Sequence, residues 1–174
     1  MNVDVIIEED RWQDTDVVAL AKRAVSHTLT HLDMDPAFWK VAILATDDAK
    51  IAQLNLDFRG KARATNVLSW PAAEWGASVP GNAPQRATGG PELGDIALSF
   101  ETCTREANET GKPLEEHVQH LIIHGTLHLL GYDHQYESDA DLMETTEIAI
   151  LGKLGVSSPY IKGGAMGVVD DGKD

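Results

Sequence analysis

The chain has 174 residues, with 14 lysines and arginines against 28 aspartates and glutamates, a formal charge of −14. That length suits one domain with its own core and leaves little room for two. With 43% apolar and 24% charged residues, the composition excludes the disordered, collagenous and membrane classes, and the single cysteine, Cys103, excludes an internal disulfide and a cysteine-rich zinc site.

In chain order, the first ten residues carry no basic segment and turn acidic after three consecutive apolar residues, so no secretory leader is expected. No run of eighteen apolar residues occurs, and the expected setting is cytoplasmic, without a membrane partner. Val3 to Glu8 is short and β-rich. From Asp16 to His31, Val17, Leu20, Ala21, Ala24, Val25, Thr28 and Leu29 recur near helical spacing. Phe38 to Thr46 reads as a second strand. Asp47 and Asp48 can cap a following helix through Ile51, Leu54 and Phe58 that stops at Gly60. Thr65 to Trp70 reads as a strand ended by Pro71, and Gly94 to Phe100 as another. Between them, residues 72–93 are rich in glycine and proline and read as a long loop over a site. The remainder is helical: a short helix from about Glu101, one entered through Pro113 and running to Leu130, and one from Ser138 to Leu154 with Ser138 and Asp141 as a capping box.

Five of the seven histidines, at 117, 120, 124, 128 and 134, fall within eighteen residues. Four residues on an α-helix advance about 400°, so His124 and His128 project from one face and both imidazoles can reach one ion. Gly131 can take a left-handed conformation, end the helix and return His134 to the same point. Three neutral imidazoles without an evident fourth side chain describe an open tetrahedral site completed by solvent. The alternative, histidines that merely pack, is weaker because Leu121, Ile122, Leu127, Leu129 and Leu130 already supply the apolar surface. His117 and His120 read instead as buried, hydrogen-bonded histidines, with His120 able to support the ligands from behind. The pattern is zincin-like, but zincins place a glutamate base beside the first histidine where this chain has Gly125. Peptidase chemistry of that type is therefore not expected.

A polyanion would be repelled at long range by the net charge. A local exception lies at Arg59, Lys61 and Arg63 against Asp57, which reads either as a solvated turn or as a phosphate-binding track. Trp70 and Trp75 either pack or stack on unpaired bases. Asp133 can orient His134 or cap the turn after Gly131.

The block from His124 through Gly125, His128, Gly131, Tyr132 and Asp133 to His134 resembles the signature of the YbeY family of ribosomal RNA maturation endoribonucleases. Asn55 to Trp70, Leu93 to Ile96, and Leu154-Gly155 to Pro159-Tyr160 are similar to its other conserved segments. Departures are Trp70 in place of phenylalanine, Gln135 in place of an acidic residue, and a longer loop over 72–93. The resemblance implies an α+β fold: a single compact domain over 1–160 with a mixed, four-stranded sheet and a zincin-like metal helix, followed by a flexible tail over 161–174. It implies one zinc ion per chain on His124, His128 and His134. Arg59 is then the family's functional arginine, and Arg59 and His124 are the expected catalytic residues; on the residues alone, Lys61, Arg63 and Trp70 are further candidate substrate contacts and His120 and Asp133 candidate supports of the ligands. The implied activity is single-strand-specific, metal-dependent RNA cleavage in maturation of the 16S ribosomal RNA 3′ end and in ribosome quality control. The implied partners are single-stranded ribosomal RNA, small-subunit proteins and an assembly GTPase. Either attack by water or attack by a ribose 2′-hydroxyl would fit. A contrasting reading is a non-catalytic ribosome-assembly factor whose zinc is structural.

Overall fold

A computed structural model describes residues 2–161 and 164–165. Four strands form one sheet: β1 (Val3–Ile7), β2 (Lys40–Thr46), β3 (Val67–Pro71) and β4 (Glu92–Ser99), in the spatial order β1-β2-β4-β3. The first three in that order are parallel and β3 is antiparallel to β4, the mixed four-stranded arrangement expected. Burial alternates along the continuously apolar β2, with Val41, Ile43 and Ala45 buried on one face and Ala42 and Leu44 half-buried on the other. An unexpected 3-10 turn over Asp10–Thr15 follows β1. Its Trp12 is fully buried and donates its indole N–H to the Thr46 carbonyl at 2.8 Å, pinning the chain to the end of β2.

Five helices complete the domain: α1 (Val17–His31), α2 (Asp48–Arg59), α3 (Phe100–Thr110), α4 (Leu114–Leu129) and α5 (Glu137–Lys153). The main core joins α1, α4 and α5 to one face of the sheet, with Ile96 of β4 against α4. A smaller core on the other face gathers Ile51 of α2 with Leu68 and Ala97. Every residue of α4 from His117 to Leu129 is buried, so its polar side chains must find partners inside the protein. None of the described helices is long and apolar enough to cross a membrane.

Local signals account for several boundaries. Asp47 accepts a hydrogen bond from the Lys50 amide at 2.9 Å, and α2 stops at Gly60 with φ +72. By contrast, Ser138 and Asp141 form no capping box. Helix α5 begins one residue before Ser138, at Glu137, its cap residue Tyr136 makes no side-chain cap bond, and Asp139 instead accepts from the Gly81 amide of the long loop at 2.7 Å. Strand β3 runs through Pro71. The bonds from Ser99 to Asn66 and from Ala72 to Leu93 place residues 67, 69 and 71 on the unpaired edge, where proline's missing N–H costs nothing. Near the C-terminus, Tyr160–Ile161 pairs with Gly164–Ala165, whereas residues 162–163 and 166–174 of the expected tail lie outside the described residues.

Candidate metal centre

Helix α4 brings His124 and His128 together one turn apart, with their Nε2 atoms 2.9 Å from each other. The helix then ends in a Schellman turn. The Gly131 amide donates to the His128 carbonyl, the Tyr132 amide donates to the Leu127 carbonyl, each at 3.0 Å, and Gly131 adopts φ +99. The reversal stacks the His134 ring on His124 with centroids 5.5 Å apart and sets it 5.1 Å from the His128 ring. One ring nitrogen from each of the three histidines lies within 4.8 Å of the others.

Hydrogen bonding fixes which nitrogens face inward. His128 Nδ1 lies 2.8 Å from the Tyr132 carbonyl, which can only accept, so that nitrogen carries the proton. His124 Nδ1 lies 2.7 Å from Glu147 Oε2. Burial opposes ionisation of Glu147, but charge attraction from His124 and hydrogen bonds from His120 and His124 hold its carboxyl well below the usual carboxylate range. It too can only accept. With both Nδ1–H groups so engaged, the two Nε2 atoms face each other and are the ring atoms available to a cation. The residues present therefore fit a divalent metal ion, with His134 completing three imidazole donors.

Behind these ligands is a buried network. Glu147 has no solvent exposure and also receives the His120 Nε2–H, at 2.8 Å, and the Tyr160 hydroxyl. Burial lowers the His120 pKa against the opposing pull of Glu147, and burial followed by the charge of Glu147 raises that of Tyr160. His120, His124 and Glu147 are close enough to be considered a second metal group, but their facing atoms already hydrogen-bond one another. The trio orients His124. His117 sits apart from the site, bonded at 2.8 Å to Glu106, which also accepts from Asn66.

The other expected site residues are distributed around this centre. Arg59 ends α2, and its Nη2 donates to the Ser69 carbonyl at 3.1 Å on the free edge of β3. Two residues further, Pro71 borders a cavity that His128 also lines. Lys61 is half-buried and Arg63 exposed in the segment just beyond α2. Trp70 is not among the histidines. Strand alternation turns it to the α2 face, where it packs edge-on against Phe58 at 5.7 Å beside the smaller core. Asp133 Oδ1 accepts from the His134 amide at 2.7 Å, fixing the backbone of the third ligand.

Glu147 and Tyr160 join the hydrogen-bond network behind the histidines and were missed by the motif reading. Glu147 lies on the buried stripe of α5 with Met143, Thr146, Ile150 and Leu151. A carboxylate in that stripe is the signal that would have found it.

The fold and this site define a single-domain α+β protein in which three histidines, two on a buried helix and one just past its end, could hold a metal ion. The chain belongs to the YbeY family: the family profile described as endoribonuclease YbeY matches residues 4–155. An endoribonuclease YbeY from Jannaschia sp. (strain CCS1) is 51% identical over 160 residues, covering 92% of this chain and 100% of that protein. Another, from Cereibacter sphaeroides, is 52% identical over 163 residues, covering 91% and 98%. A third, from Rhodopseudomonas palustris (strain BisA53), is 42% identical over 158 residues, covering 90% and 88%. Among solved structures, the solution structure of TM1509 from Thermotoga maritima matches with a TM-score of 0.53 at 19% identity, covering 88% of this chain and 91% of that one, a likeness of fold.

Proposed function

We propose that this chain is a single-strand-specific, metal-dependent endoribonuclease of ribosomal RNA maturation, acting at the 16S ribosomal RNA 3′ end and in ribosome quality control. The observation that carries the reading is the convergence of His124, His128 and His134 in a chain about half identical to proteins named endoribonuclease YbeY. An all-imidazole donor set suits zinc, one ion per chain. When bound, that ion supplies Lewis acidity at a phosphoryl oxygen.

The remaining work falls to the chain's own residues. Phosphodiester scission concentrates negative charge on phosphoryl oxygens, and Arg59 is held at the β3 edge where its guanidinium can meet them. Lys61 and Arg63 extend a cationic track from the same turn, a local exception on a chain of charge −14. His120, Glu147 and Asp133 keep the ligands in place. A zincin-type peptidase is disfavoured on geometry as well as sequence: a Cβ on Gly125 would lie 3.1 Å from Ile96, so a side chain there enters the packing between α4 and the sheet.

The acidic surface suits docking on basic small-subunit proteins, and an assembly GTPase and a cytoplasmic setting follow from the family resemblance. That same charge favours one second reading, a non-catalytic assembly factor with structural zinc.

Cleavage of a labelled single-stranded RNA spanning a ribosomal RNA 3′ end, with metal content assayed alongside, separates the two. His128→Ala should lose metal and activity. Arg59→Ala should keep its metal yet cut roughly 10²-fold more slowly, as expected for a lost transition-state cation. Equal cutting by wild type and both variants would identify a contaminating nuclease and favour the assembly factor.

A further inference from the structure

Beside His128 opens a cavity of about 210 Å³, walled by the long loop on one side and by the α4–α5 connection on the other. Its electrostatics are opposite to those of the β3 edge. Glu74, Asp133 and Asp139 line it, and no lysine or arginine does among the described residues. Away from the metal position these carboxylates disfavour a phosphate, so the phosphate path runs from the Arg59 side to the metal position and the cavity beyond belongs to another part of the nucleotide. Tyr136, a residue 58% exposed, contributes an aromatic side chain on which a base can stack.

The cavity is braced before any ligand arrives. Asp139 Oδ1 accepts the Gly81 amide at 2.7 Å, which fixes the carboxylate and ties the loop across the opening. At the loop's base, Gln85 donates its amide to the Trp75 carbonyl at 2.7 Å and its side chain to the Gly76 carbonyl at 3.0 Å. A carboxylate oxygen has two lone pairs, so both oxygens of Asp139 can still accept.

The geometry points to a guanine-recognition pocket: an unpaired guanine enters this cavity, stacks on Tyr136, and donates its N1–H and N2–H to the carboxylate of Asp139. This deepens the endoribonuclease reading and rests on it. The choice of base follows from hydrogen-bond chemistry. An ionised carboxylate only accepts. Guanine alone presents two adjacent donors on its Watson–Crick edge, whereas adenine and cytosine place an acceptor beside their amine and uracil flanks its single N–H with carbonyls. The protein would thus select a guanosine next to the phosphate it cuts, with Arg59 and the metal centre gripping the backbone.

The test uses zinc-loaded protein and fluorescent 2′-O-methyl oligouridylates carrying one central guanosine, inosine or adenosine, with affinity read by anisotropy. Inosine keeps N1–H and lacks the 2-amino group. Guanosine should bind about 10-fold more tightly than either of the others, the scale of a bidentate base contact. Asp139→Asn keeps an oxygen for Gly81 but replaces one acceptor by a donor, and should bring guanosine and inosine within about 2-fold. Tyr136→Ala should weaken all three by about 10-fold and keep their order, because stacking tolerates any base. Equal wild-type binding of guanosine and inosine, or a guanosine preference surviving in Asp139→Asn, overturns the pocket. Cleavage of unmodified RNA is followed in parallel: cutting without regard to guanosine overturns the pocket alone, whereas failure to cut any RNA removes the nuclease reading while the binding arm still judges the pocket.

Discussion

Glu147 Oε2 lies 2.7 Å from His124 Nδ1, with the carboxylate wholly enclosed between α4 and α5. That contact sets the tautomer of His124 and points its Nε2 lone pair at the metal position. The same carboxylate holds His120 and Tyr160, so it joins three elements through one charge. A charged acceptor also makes the His124 ring a stronger donor to a cation.

Glu147→Gln preserves the shape of the side chain and removes its charge. Metal affinity, measured by competition with a chromophoric chelator, should fall 10- to 100-fold, the range typical for partners of ligating histidines. Unchanged affinity would show that Glu147 serves packing alone.

Gly131 carries the turn that returns His134. It combines φ +99 with close approach: a Cβ there would lie 2.5 Å from the Trp75 carbonyl carbon and 2.6 Å from its oxygen. Gly131→Ala should cost about 2 kcal/mol or more, read from denaturant unfolding, through backbone strain and overlap together. Metal affinity should fall with it, because the displaced turn carries the third ligand. A variant as stable and as tight-binding as wild type would contradict this account of the bend.

Gly125 fills the position a zincin gives to its glutamate. Its neighbour is Ile96 on β4, not solvent. Gly125→Glu would bury an unpaired carboxylate against the sheet, with an expected loss of roughly 3 kcal/mol or more. It should also create no peptidase activity in a casein-release assay. Gain of proteolysis with stability intact would place the position in the cleft instead.

The buried network also predicts a pH effect in metal-free protein. Burial lowers the folded-state pKa of His120, so the unfolded chain binds more protons as pH falls. Its contribution is complete above the ordinary imidazole value of about 6.5 and is lost as pH drops from there toward the folded-state value. Thermal unfolding should therefore show midpoints declining below about pH 6.5, and His120→Gln should flatten that decline. Glu147 acts in a lower window: its contribution is complete above the ordinary carboxylate value and is lost as pH drops from there toward the depressed folded-state value. An identical pH profile for wild type and His120→Gln would exclude His120 as the source.

Features that depend on a few neighbouring residues were legible before any folding was considered. A four-residue spacing on a helix places His124 and His128 together whatever surrounds them, and a glycine just past the helix end allows the left-handed bend that brings back His134. Asp47 and Gly60 bounded α2 by the same local chemistry. The rest came from contacts between segments distant in the chain. Glu147 is 23 residues from His124, and only the packing of α5 on α4 brings them together. Ser138 and Asp141 had the spacing of a capping box, yet the helix started earlier, at Glu137, and Asp139, the residue after Ser138, accepts from the Gly81 amide of a loop 58 residues away in sequence. Trp70 belonged to the right strand, but the two-residue alternation of β3 sent it to the α2 face, while Ser69 exposed its carbonyl at the edge to hold Arg59. Spacing along one helix is a property of the backbone, whereas the face a strand presents and the helix that covers it depend on the whole core reaching its closest packing.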